Sequence, residues 1–225
     1  TLTLAAGIGD GSVTLENVKV QGNTLVYGGG PDSVELIDCE LYTVTVDNTT
    51  NTVRIVAKGS STIGALTLNS GARLVEDGLI GAGFSSVTTG SSIPAGATIE
   101  LTGNFDEVNI DVPNLNIQVL GGTIEQINIA STAGGTTLTL ASGVSVTTLQ
   151  VNAVANIGGT GQILSAVINS AGVVLVQQPI NWSVAAGISA SIGGQTRTGS
   201  GTNNSAPTAG NVTISGTTEV SQGLT

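Results

Sequence analysis

Acid–base or metal chemistry in this chain would have to come from carboxylates. The sequence holds no histidine, one cysteine, five Lys or Arg and fifteen Asp or Glu. Without histidine there is no Ser–His nucleophile, no imidazole acid or base and no His-ligated metal. Cys39 alone excludes an internal disulfide, an iron–sulfur cluster and a thiolate zinc site. Five well-separated bases exclude a nucleic-acid footprint, which needs clustered Lys and Arg. The one carboxylate cluster that can be constructed is Asp106, Glu107 and Glu125. Such a set could bind Ca²⁺ weakly, but a lyase or glycosidase site would also need a nearby Arg or Lys, and none falls there. The expected reading of the three is a solvated acidic face, with no catalytic residue and no cofactor. The Gly-rich pieces at 7–11 and 27–30 lack a following helix and a Lys, so they are turns rather than phosphate loops.

The elements that must position these residues are strands. Val, Ile and Leu alternate with Thr, Ser and Asn, as in Val44-Thr45-Val46, Leu66-Thr67-Leu68 and Leu138-Thr139-Leu140. Branched Cβ atoms suit a pleated surface, and Gly and Asn suit the turns between. No 3.6-residue period holds for three turns, so the chain reads as all-β. The longest apolar runs, such as Val173–Val176, are far short of the roughly 18–20 residues of a spanning helix.

One pattern recurs about every 21 residues: apolar, two spacers, apolar, one spacer, apolar. Its middle members are Val18, Val44, Leu66, Val87, Val108, Ile127, Leu149 and Ala166. A second alternating strand lies between successive copies. This predicts a parallel β-helix, or β-solenoid, of about eight coils of roughly 21 residues, with the middle members stacked in its core. A β-sandwich gives similar short strands but has no reason to repeat one motif eight times. Phe84 and Phe105 hold inward positions. The residue following the motif is often Asn or Asp: Asp47, Asn69, Asp111, Asn152 and Asn169. Such a polar column can cap the corners, and Asn in successive coils can bond its neighbours. Stacking also sets Asp106 and Glu125 on adjacent coils. Cys39 is expected to be a buried thiol, with an intermolecular bridge as the alternative.

The repeat occupies residues 1–192. Residues 193–207 read as a polar linker and 208–225 as a strand-like tail with Val212 and Ile214 as its docking residues. The start Thr-Leu-Thr-Leu, without Met or signal peptide, is expected to mark a processed or excised piece. Fourteen of the fifteen acids lie at or before Glu125, and beyond it only Arg197 and Glu219 are charged. A surface that neutral suggests that something covers it.

Val13–Gly30 (VTLENVKVQGNTLVYGGG), Val53–Gly59 (VRIVAKG), Gly71–Asp77 (GARLVED) and Leu101–Val108 (LTGNFDEV) resemble a solenoid region of large secreted surface proteins of Gram-positive bacteria, often anchored by S-layer homology domains. The tail Ser205–Gly216 (SAPTAGNVTISG) resembles the opening strand of the Ig-like modules that follow in such proteins. The resemblance implies an extracellular or cell-surface location and a modular structural role, and it carries over no active residues. The expected function is therefore a non-catalytic structural module that self-associates head to tail, with Val212 and Ile214 donated as a strand to a neighbouring copy. A surface adhesin or glycan-binding module acting on cell-wall or glycan surfaces is the alternative, and a lyase-like enzyme the third. Neither nucleic-acid binding nor membrane insertion is expected.

Overall fold

The computed structural model describes residues 1–200 apart from Ser33. The chain is a parallel β-solenoid of about nine turns of about 21 residues. Each coil gives one strand to each of two sheets. The ten-stranded sheet runs from Leu2–Leu4 through strands such as Glu40–Val46, Phe105–Ile110 and Ser145–Val151 to Asn181–Val184. The eleven-stranded sheet runs from Val13–Glu16 to Ser189–Ile192 and ends on Gln195–Thr198. Every strand pair is parallel except the last, which is antiparallel.

The spacing of the motif explains the path of the chain. Strict alternation would turn every second side chain inward. The motif instead leaves two consecutive residues outside, such as Asp106 and Glu107 between Phe105 and Val108. That outward step locally rotates the strand, as a bulge does. It recurs at the same place in coil after coil, so the inward positions stay stacked.

Val44, Leu66, Val87, Val108, Ile127, Leu149 and Ala166 follow one another on successive strands, and Trp182 ends the row. All are buried. Phe84 and Phe105 stack with ring centroids 5.5 Å apart and planes 15° from parallel. Val18 is a correction. Leu15 lies in the other sheet and Asn17 turns a corner with φ +53°, so the first copy of the motif straddles a corner. A register shift between Val20 and Asn23 then hands the position opposite Val44 to Thr24. Val18 is half-buried against the core. Thr24 is buried, its hydroxyl has no hydrogen-bond partner, and it lines an interior void of about 10 Å³.

A second difference lies at the C-terminal boundary. The polar stretch expected to begin a linker at 193 first makes a hairpin. Gly193 and Gly194, with φ +58° and +74°, turn the chain back so that Gln195–Thr198 pairs with Ser189–Ile192. Two consecutive residues at positive φ are what a tight type I′ hairpin requires, and glycine supplies them without a Cβ clash. Arg197 lies 5.6 Å from the Trp182 ring centroid, and so covers the apolar end of the last coil. The tail residues Val212 and Ile214 lie outside the described residues.

Two stability changes follow. Leu149→Asp should lower stability by more than the roughly 2–5 kcal/mol of a core truncation, because an unpaired charge is buried as well. Thr24→Val, which removes an orphaned hydroxyl at equal shape, should raise stability by about 1 kcal/mol. Urea unfolding of both variants checks the register; a Leu149→Asp protein as stable as the parent would refute it.

Candidate functional site

Among the described residues, two concave notches stand out on the surface of the rod. The first is built around Glu76. The alternation Ala72, Leu74, Glu76 places this carboxylate in inward phase, and it stands opposite Ala57 of the preceding coil. A register shift between Ala57 and Gly59 follows, where Asp77 and Gly78 bulge out. Glu76 is half-buried, and each carboxylate oxygen accepts a backbone N–H: Oε1 from Phe84 at 3.2 Å, Oε2 from Asn104 at 2.7 Å. It therefore ties its own coil to the next. Gly83 and Gly103 make room, since a Cβ at either would strike the Glu76 side chain. The notch beside it, about 520 Å³, is lined by Glu76, Leu79, Gly103, Asn104 and Asp106, among others. Burial pushes the Glu76 carboxyl above its ordinary value, the two N–H donors oppose this, and the charge of Asp106 adds to it.

Of the carboxylates singled out in the sequence, Asp106 reaches this notch. Glu125 is exposed on the adjacent coil, whose strand pairs through Phe105–Ile124 and Glu107–Gln126. Glu107 accepts a hydrogen bond from Ser86 Oγ at 3.3 Å. No group of three or more His, Cys, Asp or Glu that could hold a metal ion occurs among the described residues. Glu76 was missed although its phase was legible, since an acid at an inward position of a strand demands a partner.

The second notch, about 510 Å³, sits at the opposite corner. Loops 47–52 and 90–97 are long, and the turn between them, 69–71, is short. The short turn leaves a gap floored by Asn69 and Ser70 and walled by Thr49, Thr50, Asn51, Ser92 and Thr98. Asn48 fixes the first loop. It is buried, donates to the Gly29 carbonyl at 2.7 Å and accepts from the N–H groups of Thr50 and Asn51, both at 3.0 Å.

All five corner residues bind the coil before through their backbone N–H groups, and Asn152 and Asn169 add a side-chain ladder. Asp47, Asn69 and Asp111 use their backbone N–H groups to bind the coil before: Val26 O at 2.9 Å, Val46 O at 2.8 Å and Thr89 Oγ1 at 2.8 Å. The Asn69 side chain occupies the place a Cβ of residue 90 would take, so glycine at 90 leaves it room. Asn169 donates through Nδ2 to Asn152 Oδ1 at 2.8 Å, Asn152 to Asn128 Oδ1 at 3.2 Å and Asn128 to Asn109 Oδ1 at 3.4 Å. Asn128 and Asn109, on the outer face of the ten-stranded sheet, extend the ladder beyond the predicted corner. Asp38, at φ +52°, caps the corner opposite that column by accepting from the Ser60 N–H at 2.8 Å and Ser60 Oγ at 2.9 Å. These bonds, the backbone one first, hold its carboxyl below the ordinary range. Cys39 is buried, with Sγ 3.3 Å from the Leu15 and Ile37 carbonyls.

A parallel β-solenoid with polar notches is the class this geometry defines. Among solved structures, the chain is similar to chitinase ChiW from Paenibacillus sp. str. FPU-7, described as a bacterial cell-surface-expressed multi-modular enzyme machinery. Identity is 30% and the TM-score 0.67, and the match covers 80% of this chain and 16% of that one. No family model and no curated protein matches the chain.

The raised Glu76 carboxyl gives a signed prediction. The folded state holds this proton more tightly than the unfolded chain, whose carboxyl titrates near the ordinary 4.5. Its contribution to stability is thus fully present below 4.5 and lost as pH rises through the folded value. Melting temperatures of the parent should therefore fall more steeply from pH 4.5 upward than those of Glu76→Gln. Parallel pH profiles for the two proteins would refute it.

Proposed function

We propose that this chain is a non-catalytic, extracellular module: a rigid β-solenoid segment of a bacterial cell-surface protein that serves structure and assembly. The observation that carries this reading is the use made of Glu76. Both its oxygens are occupied by backbone N–H groups, one of its own coil and one of the next, so this half-buried acid acts as a staple and not as a free acid or base. The likeness to part of a cell-surface multi-modular enzyme supports the location, and its 16% share supports a role as one module among several. No cofactor is needed in such a role. Self-association belongs to this reading. End-to-end contact would use the edge strands Leu2–Leu4 and Asn181–Val184, because the return strand Gln195–Thr198 blunts the other sheet.

Glycan binding is the second reading, favoured by the notch of hydroxyls and carboxamides between loops 47–52 and 90–97. The lining suits a neutral, hydroxyl-rich ligand and offers no cation for an anionic one.

The test is a screen of the purified chain on chitin, peptidoglycan and neutral and acidic polysaccharides, combined with protease shaving of intact cells of the source bacterium. No turnover and surface release of the chain are expected. Turnover abolished by Glu76→Gln, or a chain released only on lysis, would overturn the proposal. Retention on a polysaccharide lost on Asn69→Ala would move the reading to glycan binding.

A further inference from the structure

We propose that the edge strand Asn181–Val184 is a docking site for a segment of this same chain, residues 211–215, which adds an eleventh strand to the ten-stranded sheet. The inference goes beyond the preceding reading. End-to-end contact at this edge would then run through the seated segment.

Three observations carry it. The first is a mismatch between the two sheets. Each coil gives one strand to each sheet, but the eleven-stranded sheet continues one level further, through Gln195–Thr198. Among the described residues, no strand stands at that level beside Asn181–Val184. The Ala185 N–H bonds the Ile168 carbonyl of the coil before. Backbone groups alternate in direction along a strand, so those of Trp182 and Val184 point to the open side, where a further strand would pair with them.

The second is a pair of orphaned donors. Trp182 is buried, yet its indole Nε1–H has no hydrogen-bond partner, and neither has the buried Nε–H of Arg197. Buried donors are normally satisfied, so both point to acceptors that arrive with more chain. Charge agrees. Beyond Glu125 the sequence has two charges of opposite sign, Arg197 at this end and Glu219 among residues 201–225. Glu219 follows Ser215 by four residues, a reach of up to about 14 Å.

The third is the path of the chain. Gly199 donates to the Ile188 carbonyl at 2.9 Å and accepts from the Gly187 N–H at 3.1 Å. A Cβ at Gly199 would strike the carbonyls of Val184 and Ala185, so the backbone crosses hard against the end of the edge strand. Residues 200–210 then lead to Asn211–Ser215, where Val212 and Ile214 alternate with polar residues. A connection of that length reaches up to about 36 Å, enough to lay the segment along the edge in either direction. Val212 and Ile214 are two residues apart, as are the inward Trp182 and Val184 that they would cover. Thr213 then stands next to the outward Ser183. The tether favours this segment over the same segment of another copy, because it holds the local concentration high.

Hydrogen exchange and indole fluorescence of the full chain test this, Trp182 being its one tryptophan. Ile214→Asp should speed exchange of the Trp182 and Val184 amides about tenfold or more and move the emission to the red, with the amides of Ser145–Val151 unchanged. Val212→Asp should do the same. Unchanged exchange and emission in both variants would overturn the proposal. The pair Ser183→Cys and Thr213→Cys should form a disulfide within one chain under oxidation, and Gln118→Cys with Thr213→Cys should not. A disulfide joining two chains would overturn seating by the chain's own segment and give the edge to a second copy; the absence of any disulfide would overturn it too. Each of these failures leaves the structural reading standing, whereas polysaccharide turnover would sink that reading without touching the seated segment.

Discussion

The hydrogen-bond ladder between coils constrains everything else in this molecule. Each strand pairs in parallel and in register with the strand one coil above and one below. A residue is therefore chosen against near copies of itself at about 4.8 Å, on both sides. Apolar side chains tolerate this, because stacked columns bury each other. Thr, Ser and Asn tolerate it, because each can donate to one neighbour and accept from the other, as Asn152 and Asn128 do. Charges fit it best where the sign changes, as it does between Arg73 and Glu100 on adjacent coils, although Arg54 and Arg73 also stand in register. The low charge of the chain and its Thr-rich composition are consequences of that one ladder.

The same constraint makes the ends of the rod costly, since a ladder that stops leaves unpaired backbone groups and an open core. At the C-terminal end of the eleven-stranded sheet the chain reverses direction, and the antiparallel strand Gln195–Thr198 satisfies the edge. Arg197, opposite Ala190, lays its cation on the Trp182 ring. An Arg suits this place because its stem covers apolar surface while its head group stacks on the indole. Trp182 in turn is the largest residue of its row and closes it among the described residues.

The period and the inward phase were legible in the sequence because they are repeated. Seven of the eight core positions follow from spacing alone, since a wrong phase would have put apolar residues outside in every coil. What was not legible lies where the repeat is interrupted. The first motif copy matched the pattern across a corner at Asn17, and the extra residues near Gly22 moved the core position to Thr24. Local alternation cannot reveal an inserted residue whose only effect is a shift against the next coil. The hairpin at Gly193-Gly194 carried the composition of a linker, and its turn chemistry, not its polarity, was the signal. The Asn ladder left the predicted corner because Asn128 reaches Asn152 diagonally, from the face of the sheet.

Both described notches of this solenoid lie at interruptions of the repeat. A perfectly repeated coil offers the same shallow surface at every level, and convergent side chains need residues that differ. The polar notch exists because loop 69–71 is short while its neighbours on both sides are long. The Glu76 notch exists because Asp77 and Gly78 bulge from the ladder and two glycines admit the carboxylate. In the second case the inward acid accepts from two backbone groups at the corner beyond the bulge, Phe84 N–H of its own coil and Asn104 N–H of the next. Backbone donors at a corner need an acceptor, and the nearest one takes them. For such a carboxylate to act on a substrate instead, those donors would need other partners. The arrangement supplies continuity between coils, which is the property a rod requires.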